Sequence, residues 1–156
     1  MKKHQPSEKI KILNHKIDPD ILILLETMTN KINTDRIISR LGYEHFDYVL
    51  PENHCGGIWI LWNNVNISAQ DILKEQRVIH MLIHDKLIPK ESIMSAIYDP
   101  AQEIDEDAFW NHLMGINTIL DLPWFIIGDF NEMKSLSDKT GGTHLTLHKV
   151  VVCELF

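Results

Sequence analysis

Two acidic residues stand directly after apolar runs that have the character of buried strands. Glu26 follows the run Ile21–Leu25, and Asp129 follows Gly128 at the end of residues 124–127. A continuous apolar run of this length is typical of a strand covered on both faces. Ligands of open α/β sheets bind beyond the strand ends. If the two strands are neighbours with the same direction, the two carboxylates converge on one site.

Carboxylates in that position favour a hard divalent cation. Mg²⁺ needs only one or two of them, because water and phosphate oxygens complete its shell. Asn131 ends the same predicted turn, Gly128-Asp129-Phe130-Asn131, and its amide can orient a water or donate to a phosphate oxygen. Gly128 would let the backbone approach closely. The alternative is that these acids form turns or cap helices, which is the commoner use of an acid at a strand end.

The elements that must position these residues alternate between helical and strand patterns. Apolar residues recur at helical spacing in residues 7–17, 32–41 and 104–120. Asp18-Pro19 ends the first helix, and Gly42 suits the position after the second. Further strands are predicted at residues 46–50, 58–62, 67–73, 78–84 and 92–98, the last two as a hairpin, with one weaker strand in residues 144–156. This order indicates a mixed α/β protein with antiparallel hairpins.

Composition and charge limit the class of protein. The chain has 156 residues, 44% hydrophobic and 24% charged, which is the composition of one globular domain. Its formal net charge is −7, whereas non-specific nucleic-acid binding usually relies on surplus Lys and Arg. Either the partner is not a polyanion, or local carboxylates hold a cation that inverts the charge of the site.

Two segments resemble the endonuclease/exonuclease/phosphatase superfamily. Residues 20–27, DILILLET, resemble its strand that ends in Glu-Thr, and residues 123–132, PWFIIGDFNE, resemble its strand that ends in Gly-Asp-Phe-Asn. The resemblance implies an α/β fold of four layers, in which two mixed, largely antiparallel sheets are flanked by helices.

Intermediate segments are similar to a narrower group, the endonucleases of plant LINE-type retrotransposons. These are residues 41–43 (LGY), 54–62 (HCGGIWILW), 97–100 (IYDP) and 138–142 (DKTGG), in the order found in that group. We therefore expect residues 1–142 to be a partial domain of this superfamily and residues 143–156 to be a divergent C-terminal tail.

The resemblance also implies roles for individual residues. Glu26 would bind the metal, Mg²⁺ with Mn²⁺ as a substitute. Asp129 would position or deprotonate the attacking water, Asn131 would stabilise the phosphate in the transition state, and Tyr98 would contact the scissile phosphate. The reaction would be metal-dependent hydrolysis of a phosphodiester, with DNA or another phosphodiester as substrate.

Two parts of the family pattern have no counterpart here. The family begins with a strand that carries an asparagine and ends with a strand that carries Ser-Asp-His, and neither is found. We therefore expect a chain truncated at both ends, an incomplete sandwich, and an activity that truncation weakens or removes. Two alternatives stay open: a non-catalytic remnant that binds a metal or a protein partner, and a phosphatase of the same superfamily.

The remaining candidate residues have structural explanations. His80 and His84 share one face of a predicted strand and could form a metal pair, but strand histidines are usually structural. Trp59 and Trp62 are expected in the core, with base stacking as the alternative.

Targeting features are sparse. Cys55 and Cys153 do not form a disulfide framework, and a reducing compartment is the default for such a chain. No signal peptide or membrane span is predicted. We expect an intracellular protein with no membrane partner, and the sequence leaves a nuclear location open.

Overall fold

The computed structural model describes residues 6–52, 56–99, 106–130 and 150–154. Three helices and eight strands lie in these ranges. They are α1 (Pro6–Ile17), β1 (Ile21–Leu25), α2 (Lys31–Leu41), β2 (His45–Val49), β3 (Ile58–Trp62), β4 (Ile67–Glu75), β5 (Val78–Asp85), β6 (Lys90–Asp99), α3 (Glu106–Leu120), β7 (Trp124–Phe130) and β8 (Val150–Glu154).

The first sheet has the strand order β2-β3-β1-β8. Its two inner strands, β1 and β3, are buried at every position, as their unbroken apolar runs predict. They pair antiparallel, with Ile21 opposite Trp62. Strand β8 comes from the predicted C-terminal tail and pairs parallel to β1, with Leu25 opposite Glu154. The carboxyl ends of β1 and β8 therefore meet at one edge of this sheet.

The second sheet has the order β4-β5-β6-β7. Strands β5 and β6 form the predicted antiparallel hairpin, and β4, which contains the strand predicted at residues 67–73, lies at the edge of the sheet. Strand β7 pairs parallel to β6, because helix α3 crosses over the sheet between them, as parallel neighbours require. Residues 128–130 continue β7, so the predicted turn at Gly128 is wrong: the strand runs on through Asp129 to Phe130.

The two sheets pack face to face around the main core. Side chains from both sheets meet there, among them Ile23 and Ile60 from the first sheet and Met81 and Met94 from the second. A fully buried Ile or Met contributes about 2 kcal/mol on area bookkeeping. This layer holds the two halves of the domain together.

The helices cover the outer faces of the sheets. Ile10 of α1 and Ile38 of α2 pack against Leu22 and Trp59 of the first sheet, and Leu113 of α3 packs against the second. The order of layers is helix, sheet, sheet, helix. This confirms the predicted sandwich of two mixed, largely antiparallel sheets flanked by helices.

Local signals set the ends of the helices. Asp18 adopts a left-handed φ of 49°, and its N–H donates to the Asn14 carbonyl at 2.7 Å, which ends α1. Asn30 caps α2 by accepting a hydrogen bond from the Asn33 N–H, and Gly42 ends it at φ 81°. None of the described helices has the length and apolar character to span a membrane.

Candidate functional site

Glu26 is the first residue after β1, at the edge of the first sheet. The strand before it is wholly buried, whereas Glu26 itself is half-buried. Its φ is +51°, a left-handed conformation that costs a non-glycine residue roughly 1–2 kcal/mol. A strained backbone of this kind needs support from its surroundings, and it often occurs at functional sites.

Tyr98 connects this edge to the second sheet. It lies near the end of β6 with 5% of its surface exposed, on the face that fills the main core. Its hydroxyl donates a hydrogen bond of 2.6 Å to Glu26 Oε1. Hydrogen bonds to a carboxylate at this distance are among the stronger ones. The structure therefore brings together two of the predicted site residues, one from each sheet.

Asp129 lies opposite Tyr98 in the register of β6 and β7. Phe125 and Ile127 of β7 contact the main core. Because strand side chains alternate between faces, Asp129 belongs to the same face. It is half-buried at the end of the strand. Tyr98 is therefore the neighbour that Glu26 and Asp129 share.

The prediction of how Glu26 and Asp129 come together is partly wrong. Strands β1 and β7 belong to different sheets, so Glu26 and Asp129 do not come from neighbouring strands of one sheet. Tyr98 links them, because it donates to Glu26 and lies opposite Asp129 in the register of β6 and β7. The sequence signal that could have indicated this is the helical pattern of residues 104–120, since a helix between two strands is typical of parallel neighbours such as β6 and β7. Asn131 lies outside the described residues.

Gly128 allows β7 to lie close against β6. A Cβ atom added at Gly128 would lie 1.9 Å from the carbonyl oxygen of Ile97 and 2.7 Å from its carbonyl carbon. No side chain fits at such a distance from a neighbouring backbone. Glycine at position 128 therefore allows β7 to pair closely with β6, with Asp129 opposite Tyr98.

A second polar cluster lies beneath α3, on the outer face of the second sheet. His80 and Ser95 are register partners, and His80 Nδ1 lies 2.6 Å from Ser95 Oγ. Trp124 Nε1 donates to the same Ser95 oxygen at 2.8 Å. His80 is fully buried. Burial, and secondarily the positive charge of His112, lower its pKa from 6.5 to about 4.

This cluster was not predicted from the sequence. His84, the other half of the predicted metal pair, takes no part in these hydrogen bonds. His80 is hydrogen-bonded to Ser95 of β6, which also accepts from Trp124 of β7. The neutral imidazole lies away from the Glu26 and Tyr98 pair. It is a structural group whose partners the β5–β6 register determines.

The tryptophans of the first sheet belong to the core. Trp59 has 0% and Trp62 has 7% of its surface exposed. Trp62 also stacks on His45, with ring centroids 5.6 Å apart. Neither ring presents an open face, so the core interpretation is confirmed over base stacking.

Comparison with known proteins gives matches at the level of structure alone. No family model matches the chain, and no curated protein matches its sequence. The human Nocturnin catalytic domain with bound sulfate superposes with a TM-score of 0.53 and 18% identity, over 80% of this chain and 57% of that one.

Two further solved structures match to the same degree. They are AP endonuclease LMAP from Leishmania major (TM-score 0.54, 13% identity, 79% of this chain and 49% of that one) and truncated TDP2 from Caenorhabditis elegans (0.53, 13%, 83% and 56%). All of these proteins have the endonuclease/exonuclease/phosphatase fold. This chain has that fold. It spans only 49–57% of the length of these three structures.

Proposed function

We propose that this chain is a metal-dependent phosphodiesterase domain of the endonuclease type, with Glu26, Tyr98, Asp129 and Asn131 as its functional residues. The observation that carries the proposal is the 2.6 Å hydrogen bond from Tyr98 to Glu26 across the two sheets. It joins the residue expected to contact phosphate to the residue expected to bind the metal. The closeness to plant LINE-type retrotransposon endonucleases remains part of this proposal.

The residues at the site suit a magnesium ion. Mg²⁺ takes oxygen ligands and is usually bound by one or two carboxylates with several waters. The Tyr98 hydroxyl donates to Glu26 Oε1, so the other carboxylate oxygen of Glu26 can bind a metal. Within the described ranges no three His, Cys, Asp or Glu side chains form a metal cage. A site with one protein carboxylate is thus the kind these residues support, and Mn²⁺ fits it equally well.

The chemistry assigned to the chain's own residues follows from their groups. Asp129 accepts a proton from the attacking water, whose oxygen forms the new bond to phosphorus as the bond to the leaving oxygen breaks. A divalent ion bound at Glu26 would offset the negative charge that builds on the phosphate. Asn131 donates to a phosphate oxygen through its amide N–H groups. Each such contribution typically changes a rate by about 10²–10⁴-fold.

Tyr98 has one hydroxyl proton and two possible acceptors. A tyrosine donates a single hydrogen bond, and in this structure Glu26 accepts it. Contact with a substrate phosphate therefore requires the proton to turn from Glu26 towards the phosphate. A phosphate bound beside Glu26 would be reached by rotation of the hydroxyl about its bond to the ring.

Net charge and the structural neighbours bear on the substrate. A chain with a net charge of −7 gains little from general attraction to a polyanion, so a phosphodiester would be held by the site itself. One structural neighbour is named as an AP endonuclease, and another contains bound sulfate, which has the tetrahedral oxygen arrangement of phosphate. Both support a phosphodiester substrate.

The experiment measures nicking of supercoiled DNA with Mg²⁺ or Mn²⁺, alongside hydrolysis of a small phosphodiester and a phosphomonoester. Glu26→Gln and Asp129→Asn each remove one carboxylate with little change in shape and should lower the rate at least about 100-fold. Tyr98→Phe should lower it less. Glu91→Gln and Asp71→Asn, at exposed positions on β6 and β4, are matched controls and should leave the rate unchanged.

The outcomes separate the alternatives. Cleavage that survives both carboxylate substitutions would refute the site assignment. Hydrolysis of the monoester alone would favour a phosphatase. Binding of Mn²⁺ that Glu26→Gln abolishes, without any cleavage, would favour a non-catalytic metal-binding domain. Absence of both metal binding and cleavage would refute the proposal.

A further inference from the structure

A pair of glycines crosses the end of β1 beside the candidate site. Gly56 and Gly57 stand directly before β3, both buried, with φ of +85° and +94°. The Thr27 N–H donates to the Gly57 carbonyl at 3.4 Å, and the Met28 N–H donates to the Gly56 carbonyl at 3.5 Å. The glycine pair is therefore hydrogen-bonded to the two residues that follow Glu26.

The glycine pair also contacts both sides of the site. A Cβ atom on Gly56 would lie 3.4 Å from Cδ1 of the Tyr98 ring. A Cβ atom on Gly57 would lie 2.4 Å from Thr27 Oγ1 and 3.2 Å from Pro51 Cδ. The 3.4 Å distance at Gly56 is an ordinary contact, whereas the 2.4 Å distance at Gly57 is shorter than non-bonded atoms tolerate. Glycine is thus the only residue type that fits at position 57, between Thr27 and Pro51.

Thr27 is fully buried, and hydrogen bonding by its hydroxyl does not explain this burial. The residue has 0% exposure, and its Oγ1 has no hydrogen-bond partner among the described residues. A buried hydroxyl without a partner is unfavourable, so the contribution of Thr27 is its packing against Gly57. On either side of it, Glu26 and Met28 have left-handed φ values of 51° and 46°. Such a backbone persists only when its surroundings hold it.

We infer that Thr27 and the glycine pair are positioning residues, which hold the strained backbone of Glu26 so that its carboxylate meets the Tyr98 hydroxyl. The consequence for metal affinity rests on the proposed function, whereas the contact itself does not. Gly56 supports the Tyr98 ring and Gly57 supports Thr27. Both partners of the 2.6 Å hydrogen bond are therefore held by one dipeptide.

The test compares two glycines that share a left-handed backbone. Gly57→Ala adds a methyl group against Thr27 Oγ1, whereas Gly42→Ala, at φ +81°, adds one where nothing lies within 4 Å. Each variant, and the double variant Thr27→Ala with Gly57→Ala, is prepared with ¹³C-labelled tyrosine. The chain has three tyrosines, so Tyr98→Phe identifies the Tyr98 resonance. Mn²⁺ affinity is measured on the same samples by calorimetry.

We expect Gly57→Ala to move the Tyr98 resonance towards its position in Glu26→Gln and to weaken Mn²⁺ binding by about tenfold or more, as loss of an outer-shell support does. Adding Thr27→Ala should restore part of both, because it removes the Oγ1 atom with which the methyl group collides but also removes the packing of Thr27 itself. Gly42→Ala should lower the melting temperature and leave both unchanged. A folded Gly57→Ala protein with an unchanged resonance would overturn the inference, as would an equal change in Gly42→Ala or a failure of the double variant to restore any part of the signal.

Two further outcomes are covered. If Gly57→Ala does not fold, Gly56→Ala takes its place: its methyl group touches the Tyr98 ring without a severe clash, and an unchanged Tyr98 resonance would then overturn the inference. If the wild-type chain does not bind Mn²⁺, the metal part of the proposed function fails. The Tyr98 resonance still decides the positioning role in that case, because it is measured without metal.

Discussion

Lowering the pH should destabilise this domain through His80. The fully buried imidazole has a pKa lowered from 6.5 to about 4, first by burial and then by His112. As the pH falls through 6.5 the unfolded chain takes up a proton that the folded chain refuses until about pH 4. Folding stability is therefore lost across that window, and it is fully retained above it.

The magnitude follows from the two pKa values. Linkage between pH 7.5 and pH 5 gives a loss of about 2 kcal/mol from this one group, approaching about 3 kcal/mol below pH 4. Urea unfolding at the two pH values measures it for the wild type and for His80→Gln, which cannot titrate. The loss should be smaller in His80→Gln by about 2 kcal/mol, whereas His84→Gln, half-exposed on the same strand, should behave like the wild type.

Two results would refute this reasoning. One is an equal loss of stability on acidification in the wild type and in His80→Gln. The other is a His80 ring resonance that titrates near 6.5 in the folded protein. Replacement of His112 by Gln removes the smaller cause and should raise the pKa of His80 towards its ordinary value.

Two predictions concern stability alone and are measured by thermal or urea unfolding. Gly128→Ala should destabilise the domain by roughly 3 kcal/mol, because its methyl group would overlap the Ile97 carbonyl. Gly115→Ala on α3 is the control: the new atom has open space around it, so the substitution should stabilise the domain by about 0.5–1 kcal/mol. Equal effects of the two substitutions would contradict the close approach of β6 and β7. Asn30→Ala should cost about 1 kcal/mol, because it removes the cap bonded to the Asn33 N–H, and Asn30→Asp should retain most of that stability.

Features that depend on short stretches of chain were predictable. The run Ile21–Leu25 is apolar at every position and forms a strand with those bounds. Asp18 and Gly42 end their helices where the sequence places a helix stop. The β5–β6 hairpin follows from two strand patterns around a turn. In each case the type and order of residues in one short stretch indicate the element, so the local pattern carries the information.

Features that depend on which strands meet were not predictable in the same way. Nothing in the apolar runs before Glu26 and Asp129 shows that their strands belong to different sheets. The hydrogen-bonded partner of His80 depends on the register of β5 against β6, and a shift of one residue would place every side chain on the opposite face.

The candidate site shows the same division. The types of its residues, and their positions at or near strand ends, follow from the local order of apolar and polar residues in the chain. The contact between Tyr98 and Glu26 exists because two sheets pack face to face. The collision that only a glycine avoids at position 57 exists because the start of β3 lies beside the end of β1 in the first sheet. Packing of this kind joins residues far apart in the chain, and its energy depends on distances that no local pattern contains.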